Sequence, residues 1–423
     1  MEYILRTVDA QLRRLVDDVP AVAVDGPKAV GKSSTAARVA RSTVNLELPD
    51  ERELVVGDPG RLNRLARPLL IDEWQHLPVV WDQVRRAVDA GAPPGSFLLT
   101  GSASPVDQPL HTGAGRIVRL RLRPMSLSER CLAAPTVPLS ALLTGDQPAV
   151  GGDSPVSLEQ YADEITATGF PGIRETPPRS RSDVIDGYLA TVIERDFPDA
   201  GHSVRRPTAL RAWLRAFAAA TSSLTAYTQI LDAATPGEDD KPSKVATFAY
   251  RDTLERMWLL DELPAWGGHN HLGALSRSPK HHLVDPGLAA RLLGVNAASL
   301  LDQPNPDRPA IPRVGTLFGA LFEGLATLSV RVYAQANRAT VSYLRTAKGT
   351  REVDLIVERD DGRILPIEVK LSSSVGDSDV AHLIWLRNAL PGEVLDAVIL
   401  TTGKAAYRRS DGVAVVPLAL LGE

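Results

Sequence analysis

VDGPKAVGKSSTAARVA, running from Val24 to Ala40, decides the first question of fold. Within it Gly26-Pro27-Lys28-Ala29-Val30-Gly31-Lys32-Ser33 fits GxxxxGK(S/T) without a gap. Ala21-Val22-Ala23-Val24 before it reads as a buried strand, and the Ala-rich run from Ser34 to Ala40 reads as a helix. Strand, glycine loop and helix form the context in which this pattern cradles a polyphosphate. The glycines let successive backbone N–H groups converge, and the helix N-terminus adds its partial positive charge. The nucleotide-binding set therefore runs from Gly26 through Ser34, with Lys32 reaching the β- and γ-phosphates and Ser33 facing Mg²⁺.

Working outward, Leu69-Leu70-Ile71-Asp72-Glu73 is an apolar strand that ends in two acids. Asp72 is placed to hold Mg²⁺ at the C-terminal edge of a parallel sheet, and Glu73 to polarise an attacking water. A third strand, Phe97-Leu98-Leu99-Thr100-Gly101-Ser102, ends in small hydroxyl residues, so Thr100 and Ser102 are candidates to face the γ-phosphate. Gly115 to Pro124 alternates apolar and basic residues and reads as a further strand. Arg116, at its start, is a candidate charge-stabilising arginine acting in cis or on a neighbouring subunit's nucleotide; an exposed basic strand face explains it equally well.

At 423 residues the chain can hold two to four domains. Composition, with 44% hydrophobic and 23% charged residues, is that of a globular protein. The formal charge of −4 argues against a nucleic-acid-coated surface. One cysteine, Cys131, excludes an internal disulfide framework and fits a reducing, cytoplasmic setting. The N-terminal stretch lacks a signal-peptide core, and no apolar run of spanning length is expected, hence no membrane association.

Four segments are expected: a nucleotide-binding domain over 1–131, a linker and helical segment over 132–206, a winged-helix-like helical domain over 207–300 and an α/β domain over 310–423. Residues 133–155 are rich in Pro, Gly, Ser and Thr and read as a loop or flexible connection. A recognition helix in the middle would present Lys244, Thr247 and Arg251 to DNA, but the acids Glu238, Asp239 and Asp240 in the preceding turn would repel phosphate.

In the last domain "EVDLIV" and "LPIEVKLS" interrupt buried strand patterns with charge. Glu368 and Lys370 share a strand face by the period of two, and Asp354 lies in the neighbouring strand. With Glu323 from the preceding helix, these residues could hold Mg²⁺ for phosphodiester cleavage, or form an acid–lysine network with no metal.

The motifs GPKAVGKSS, LLIDEWQ, LLTGSAS, GRIVRLRLRPMSLSE, TGFPG, YLATVIERD, DELPAW, LVDPGL, LFEGLATL, REVDLIV and IEVKLS occur in order. Together they resemble prokaryotic AAA-type P-loop ATPases with a C-terminal restriction-endonuclease-like domain of unknown function. The resemblance implies an α/β fold: an AAA-type nucleotide-binding domain, a helical, winged-helix-like middle and a C-terminal restriction-endonuclease-like domain. It implies ATP and Mg²⁺ at Lys32, Ser33, Asp72 and Glu73, Ser102 as the sensor residue, and a PD-(D/E)XK-like pattern at Glu323, Asp354, Glu368 and Lys370.

Three functions stay open. The first is a Mg²⁺-dependent ATPase acting as a switch or remodeller in stress, defence or toxin–antitoxin-like control. The others are an ATP-regulated DNA nuclease and a nucleotide-dependent binding protein without turnover. ATP and ADP are the expected small partners, with DNA, a protein partner (toxin–antitoxin-like among them) or a second copy of the chain as larger ones.

Overall fold

The computed structural model describes residues 3–101, 113–199, 207–235, 244–268, 277–302, 315–346 and 349–423. Among the described residues fourteen strands fall into three sheets. The first contains β1 (Ala21–Asp25), β2 (Ser42–Asn45), β3 (Leu69–Asp72), β4 (Phe97–Gly101) and β5 (Val118–Arg121), in the order β2-β3-β4-β1-β5. Every pairing in it is parallel. A parallel sheet needs cover on both faces, and the strand sequences are accordingly apolar throughout. Val22, Val24, Leu70, Leu98 and Leu120 pack into one core, and Ala21, Ala23, Leu69, Ile71, Phe97 and Leu99 into another. The alternation follows from successive side chains pointing to opposite faces.

The second of these cores is local, closed by residues such as Val55, Val80, Trp81 and Val84. The first is not. It continues through Tyr161, Phe217 and Phe322 to Leu421, so that face of the sheet shares one apolar interior with the middle and C-terminal regions.

The middle is helical, with Leu158–Ala167, Pro178–Thr191, Pro207–Ala219, Tyr227–Ala233 and Lys244–Arg256 as its principal helices. Isolated antiparallel bridges Leu260↔Leu283 and Leu263↔Lys280 follow. The long helix Gly315–Ala336 then leads into a mixed seven-stranded sheet. Its strands are β7 (Gly152–Asp153), β8 (Thr340–Arg345), β9 (Glu352–Glu358), β10 (Ile364–Lys370), β11 (Val398–Thr401), β12 (Ala405–Arg408) and β13 (Ala414–Pro417). They lie in the order β7-β12-β13-β11-β10-β9-β8, with helix Asp377–Ala389 connecting β10 to β11. A small parallel pair joins β6 (Val137–Pro138) to β14 (Leu421–Gly422).

Two expectations need revision here. The run 133–155 is anchored rather than freely hanging: β6 and β7 pair with β14 and β12, and Val137, Leu139 and Leu142 are buried. The reading of 133–155 as a loop holds for most of its length, where Pro and Gly mark turns, but the apolar residues between them dock on distant chain, which composition does not register. Equally, Leu317–Ala336 is apolar and long enough to cross a membrane by length and composition, although no such run was expected. It is 67% buried within the protein, the pattern of a core helix covered on most sides.

Candidate nucleotide site and the acid cluster

Gly26 follows directly on β1, and the loop closes at Gly31, whose φ of 103° is a conformation that favours glycine. A Cβ on Gly26 would collide with the Leu122 carbonyl, so the loop's entry also requires a residue without a side chain. Helix Lys32–Ala37 starts immediately afterwards.

Lys32 is buried, and its Nζ donates to the carbonyls of Gly26 (3.0 Å) and Pro27 (2.9 Å). Burial pushes its ammonium down to about 8, against the opposing pull of Glu73, Asp25 and Asp72. Those carbonyl contacts are weak competitors for an incoming phosphate oxygen, because a charge-assisted bond to an anion is roughly twice as strong as one to a neutral acceptor.

The sheet register sets the metal side. β3 and β4 run in parallel with Ile71 opposite Leu99, so Asp72 and Thr100 are side by side. Ser33 Oγ donates to Asp72 Oδ1 at 2.7 Å, and the Thr100 hydroxyl donates to the same carboxylate oxygen. Two hydroxyls converging on one carboxylate beside a glycine cradle fit a hydrated Mg²⁺ attached to a polyphosphate. Ser33 and Asp72 would hold the ion, which would draw charge from the phosphates.

Glu73 follows β3 with φ 52° and ψ 48°, a left-handed conformation uncommon for a non-glycine residue. Its carboxylate accepts from Gln75 Nε2. Gly101 leaves room for this turn, since a Cβ there would come within 2.6 Å of Gln75 Oε1 and 2.7 Å of Trp74 Nε1. The acid's charge is felt at the Lys32 ammonium, where it opposes the effect of burial.

Of the remaining predicted residues, Ser102 lies outside the described residues, and Thr100 is the hydroxyl that meets Asp72. Arg116 does not join the site. It precedes β5, whose Val118 is level with Val22, and its Nε pairs with Asp89 Oδ1 at 2.8 Å. At about 3.3 Å per strand residue this is the opposite edge of the sheet from Gly26, beyond reach of the same chain's phosphates. An arginine in the sequence gives no sign of which edge it occupies.

Several residues at the site were not foreseen. Arg6 is buried; its Nη1 donates to the Val30 carbonyl at 3.3 Å, and its Nε pairs with Glu129 at 3.2 Å. Arg119 Nε donates to Asp25, the last residue of β1, at 2.6 Å. Asp261, from the motif DELPAW, collects Arg121 (3.0 Å), Arg123 (2.8 Å) and Arg331 (2.7 Å). Burial raises the Asp261 carboxyl, but the three guanidiniums outweigh it and hold it well below the usual range. One carboxylate thus joins β5, the middle region and the Gly315–Ala336 helix.

In the C-terminal sheet the predicted acids do come together, around a cation that was not predicted. Lys280 Nζ, 2% exposed, lies 3.0 Å from Glu323, 3.0 Å from Glu352 and 3.1 Å from Asp354. Asp354 Oδ2 also accepts from the Val369 N–H at 3.0 Å. Glu368 sits 3.5 Å from Lys370, and burial followed by the Asp354 charge raises its carboxyl far above the usual range. Burial also opposes the Lys280 ammonium, yet Asp354, Glu323 and Glu352 outweigh it and hold the charge on. Among the described residues no His, Cys, Asp or Glu group is arranged to hold a metal ion. Lys280 takes the centre that such an ion would need.

Arg251, the predicted DNA reader, is committed internally to Glu255 (2.7 Å) and Glu262 (3.1 Å) and lies over the Tyr227 ring. The side chain of Lys244 lies outside the described residues, and Thr247 has a partner of its own.

Comparison with known proteins adds the following. Residues 18–131 match the family described as an AAA domain. These residues form an AAA-type P-loop domain. Residues 158–299 match a domain of unknown function (DUF8612), and residues 318–421 match another (DUF4143). Two relatives, uncharacterized proteins of Mycobacterium tuberculosis and Mycobacterium bovis, are each 27% identical over 421 residues, 97% of this chain and 83% of theirs. Among solved structures, a Walker-type ATPase of Pyrococcus abyssi aligns at 16% identity with a TM-score of 0.41, covering 67% of this chain and 94% of that one. The chain is therefore an α/β protein with a parallel P-loop sheet, a helical middle and a mixed C-terminal sheet.

Proposed function

We propose that the protein binds MgATP at the Gly26–Ser34 loop and hydrolyses it as a molecular switch whose state is read by the middle and C-terminal regions. The observation that carries this reading is Asp72, which gathers Ser33 and Thr100 on one carboxylate oxygen beside a lysine resting on loop carbonyls. Ser33 and Asp72 orient the metal, Lys32 neutralises developing phosphate charge, and Glu73 accepts the proton of the attacking water. The continuous core and the Asp261 junction supply a physical path along which a change in the loop can reach the C-terminal sheet.

Steady-state ATP turnover by Glu73→Gln, beside equilibrium binding of ATP to the same variant, tests this. Binding should persist while turnover falls by about 10²- to 10⁴-fold, the usual contribution of a positioned base. Normal turnover would remove Glu73 from the mechanism, and turnover that is absent from the wild type would leave ATP as a static ligand.

A second reading, an ATP-regulated nuclease, draws on the convergence of Glu323, Asp354 and Glu368. It requires Lys280 to leave Glu323, Glu352 and Asp354, which it now neutralises.

A further inference from the structure

Two motifs in the middle region, TGFPG and YLATVIERD, have no place in the phosphate chemistry above, yet the fold carries both of them to the glycine loop. Gly169 makes the first approach close: its carbonyl accepts from the Met125 N–H at 2.8 Å, and a Cβ there would lie 2.7 Å from the Met125 carbonyl. The following Phe170 ring packs against Tyr188 at 5.2 Å, and Pro171 reaches to 3.9 Å from where a Gly31 side chain would begin. Tyr188 in turn donates its hydroxyl to the Lys28 carbonyl at 3.3 Å.

The helix bearing Tyr188 does not end regularly. After Thr191 it widens into a single π turn, Val192–Asp196, before one more turn to Asp199. Such turns are rare and recur at functional sites, because they offset the residues beyond them from the helical register. Here the offset delivers Asp196, whose Oδ1 lies 2.9 Å from the Nζ of Lys28, inside the phosphate loop. Its other oxygen, Oδ2, is buried without a hydrogen-bond partner. A carboxylate left half-satisfied next to an anion site is held there by its one cationic contact.

The geometry points to Asp196 as a nucleotide-sensing positioning residue: it is the counter-ion of Lys28, and incoming phosphates compete for that lysine and release the Val192–Asp196 turn. This rests on the phosphate-loop reading and deepens it by naming how occupancy is passed to the middle region. Three features support displacement over a fixed strut. Lys28 is 55% exposed at its side chain and so free to swing. A polyphosphate is a far stronger partner than one carboxylate. Finally, Asp196 would face the phosphates as a like charge once they arrive.

The test uses the full chain and a non-hydrolysable ATP analogue with Mg²⁺, read by amide hydrogen exchange over residues 188–199 and by equilibrium binding. In the wild type, the analogue should lower protection across this segment. In Lys28→Met, protection should be low from the start and indifferent to the analogue, while Lys28→Arg should behave as the wild type. Asp196→Asn should bind the analogue about two- to fivefold more tightly, the scale of a partly exposed ion pair.

A merely structural pair would lower protection in Lys28→Met but leave the wild type unresponsive to nucleotide. Wild-type protection that is unchanged or raised by the analogue would overturn the proposal, as would unchanged or weaker binding by Asp196→Asn. Binding by Lys32→Ala equal to that of the wild type would instead strike at the phosphate-loop reading itself, and no binding by the wild type would overturn both.

Discussion

The phosphate loop and the acid cluster are assembled from the same parts, an aspartate on a strand, further acids and a buried lysine, but the lysines have opposite partners. Lys32 rests on two neutral carbonyls of its own loop, whereas Lys280 is clasped by three carboxylates. An anion can replace carbonyls at little cost, so the first arrangement is prepared for a ligand. Removing a buried lysine from three partly buried acids leaves their charges uncompensated, so the second is closed. What a buried lysine touches therefore distinguishes the two sites better than the acids around it do.

The comparison breaks most readily at Lys280. Lys280→Met should destabilise the protein by about 3–5 kcal/mol, the usual result of removing one side of a buried ion pair, read by denaturant unfolding. Adding Glu323→Gln to that variant should recover part of the loss. A Lys280→Met protein as stable as the wild type would mean that the acids do not depend on this cation.

The next largest effect belongs to the phosphate site. Lys32→Ala should reduce ATP turnover by about a hundredfold or more, since it removes a preorganised positive group facing the transferred phosphate. Its fold should be retained, because what is lost is a contact to loop carbonyls. Loss of folding together with activity would make Lys32 a structural lysine like Lys280 and erase the contrast.

Acidity sharpens the same contrast with smaller effects. Lys32 is depressed to about 8, so it carries its charge below that pH and loses it above. ATP affinity should therefore fall as pH rises from 7 to 9, by at most about tenfold per unit. At Glu368 the shift runs the other way, upward, although its effect is likewise lost as pH rises. Its folded-state acidity is weakened by burial and by Asp354, so the folded protein holds a proton that the unfolded chain gives up. The stability tied to that proton is complete at acid pH and declines as the medium becomes alkaline. Glu368→Gln, which mimics the protonated form, should flatten this decline in melting temperature between pH 6 and 9, by roughly the effect of a single titrating group. An unchanged pH profile in the variant would show that Glu368 is not the group responsible.

The two sites also differ in how much of them is written locally in the chain. Gly26 to Ser33 carries its own geometry, and Asp72 and Glu73 are marked by an apolar strand that ends in acids. Thr100 was in view as a strand-end hydroxyl, although only the parallel register showed it beside Asp72 rather than beside solvent. For Arg116 only the cis alternative is answered, because its strand runs towards the site and leaves it at the far edge.

In the last domain, the first half of the long helix, about Leu317 to Leu328, and the strands carrying Asp354 and Glu368 followed from hydrophobic period, while the helix's continuation to Ala336 and the short, turn-interrupted β12 to β14 did not. Lys280 was illegible. It stands in a stretch with no motif, more than forty residues before the first acid it meets (Glu323 is residue 323), and only tertiary packing brings the two to 3.0 Å. Likewise Lys28 and Asp196 each lie in a recognisable motif, but nothing in either motif states that they pair.

The most direct test of the central contrast is Mn²⁺ binding followed by electron paramagnetic resonance, with and without ATP. Mn²⁺ should bind tightly only when ATP is present, as one equivalent, with loss of that site in Asp72→Asn and its retention in Asp354→Asn. Tight Mn²⁺ binding without nucleotide, abolished by Asp354→Asn, would contradict the account, because it would show the acid cluster to be an open metal site and Lys280 no barrier to it.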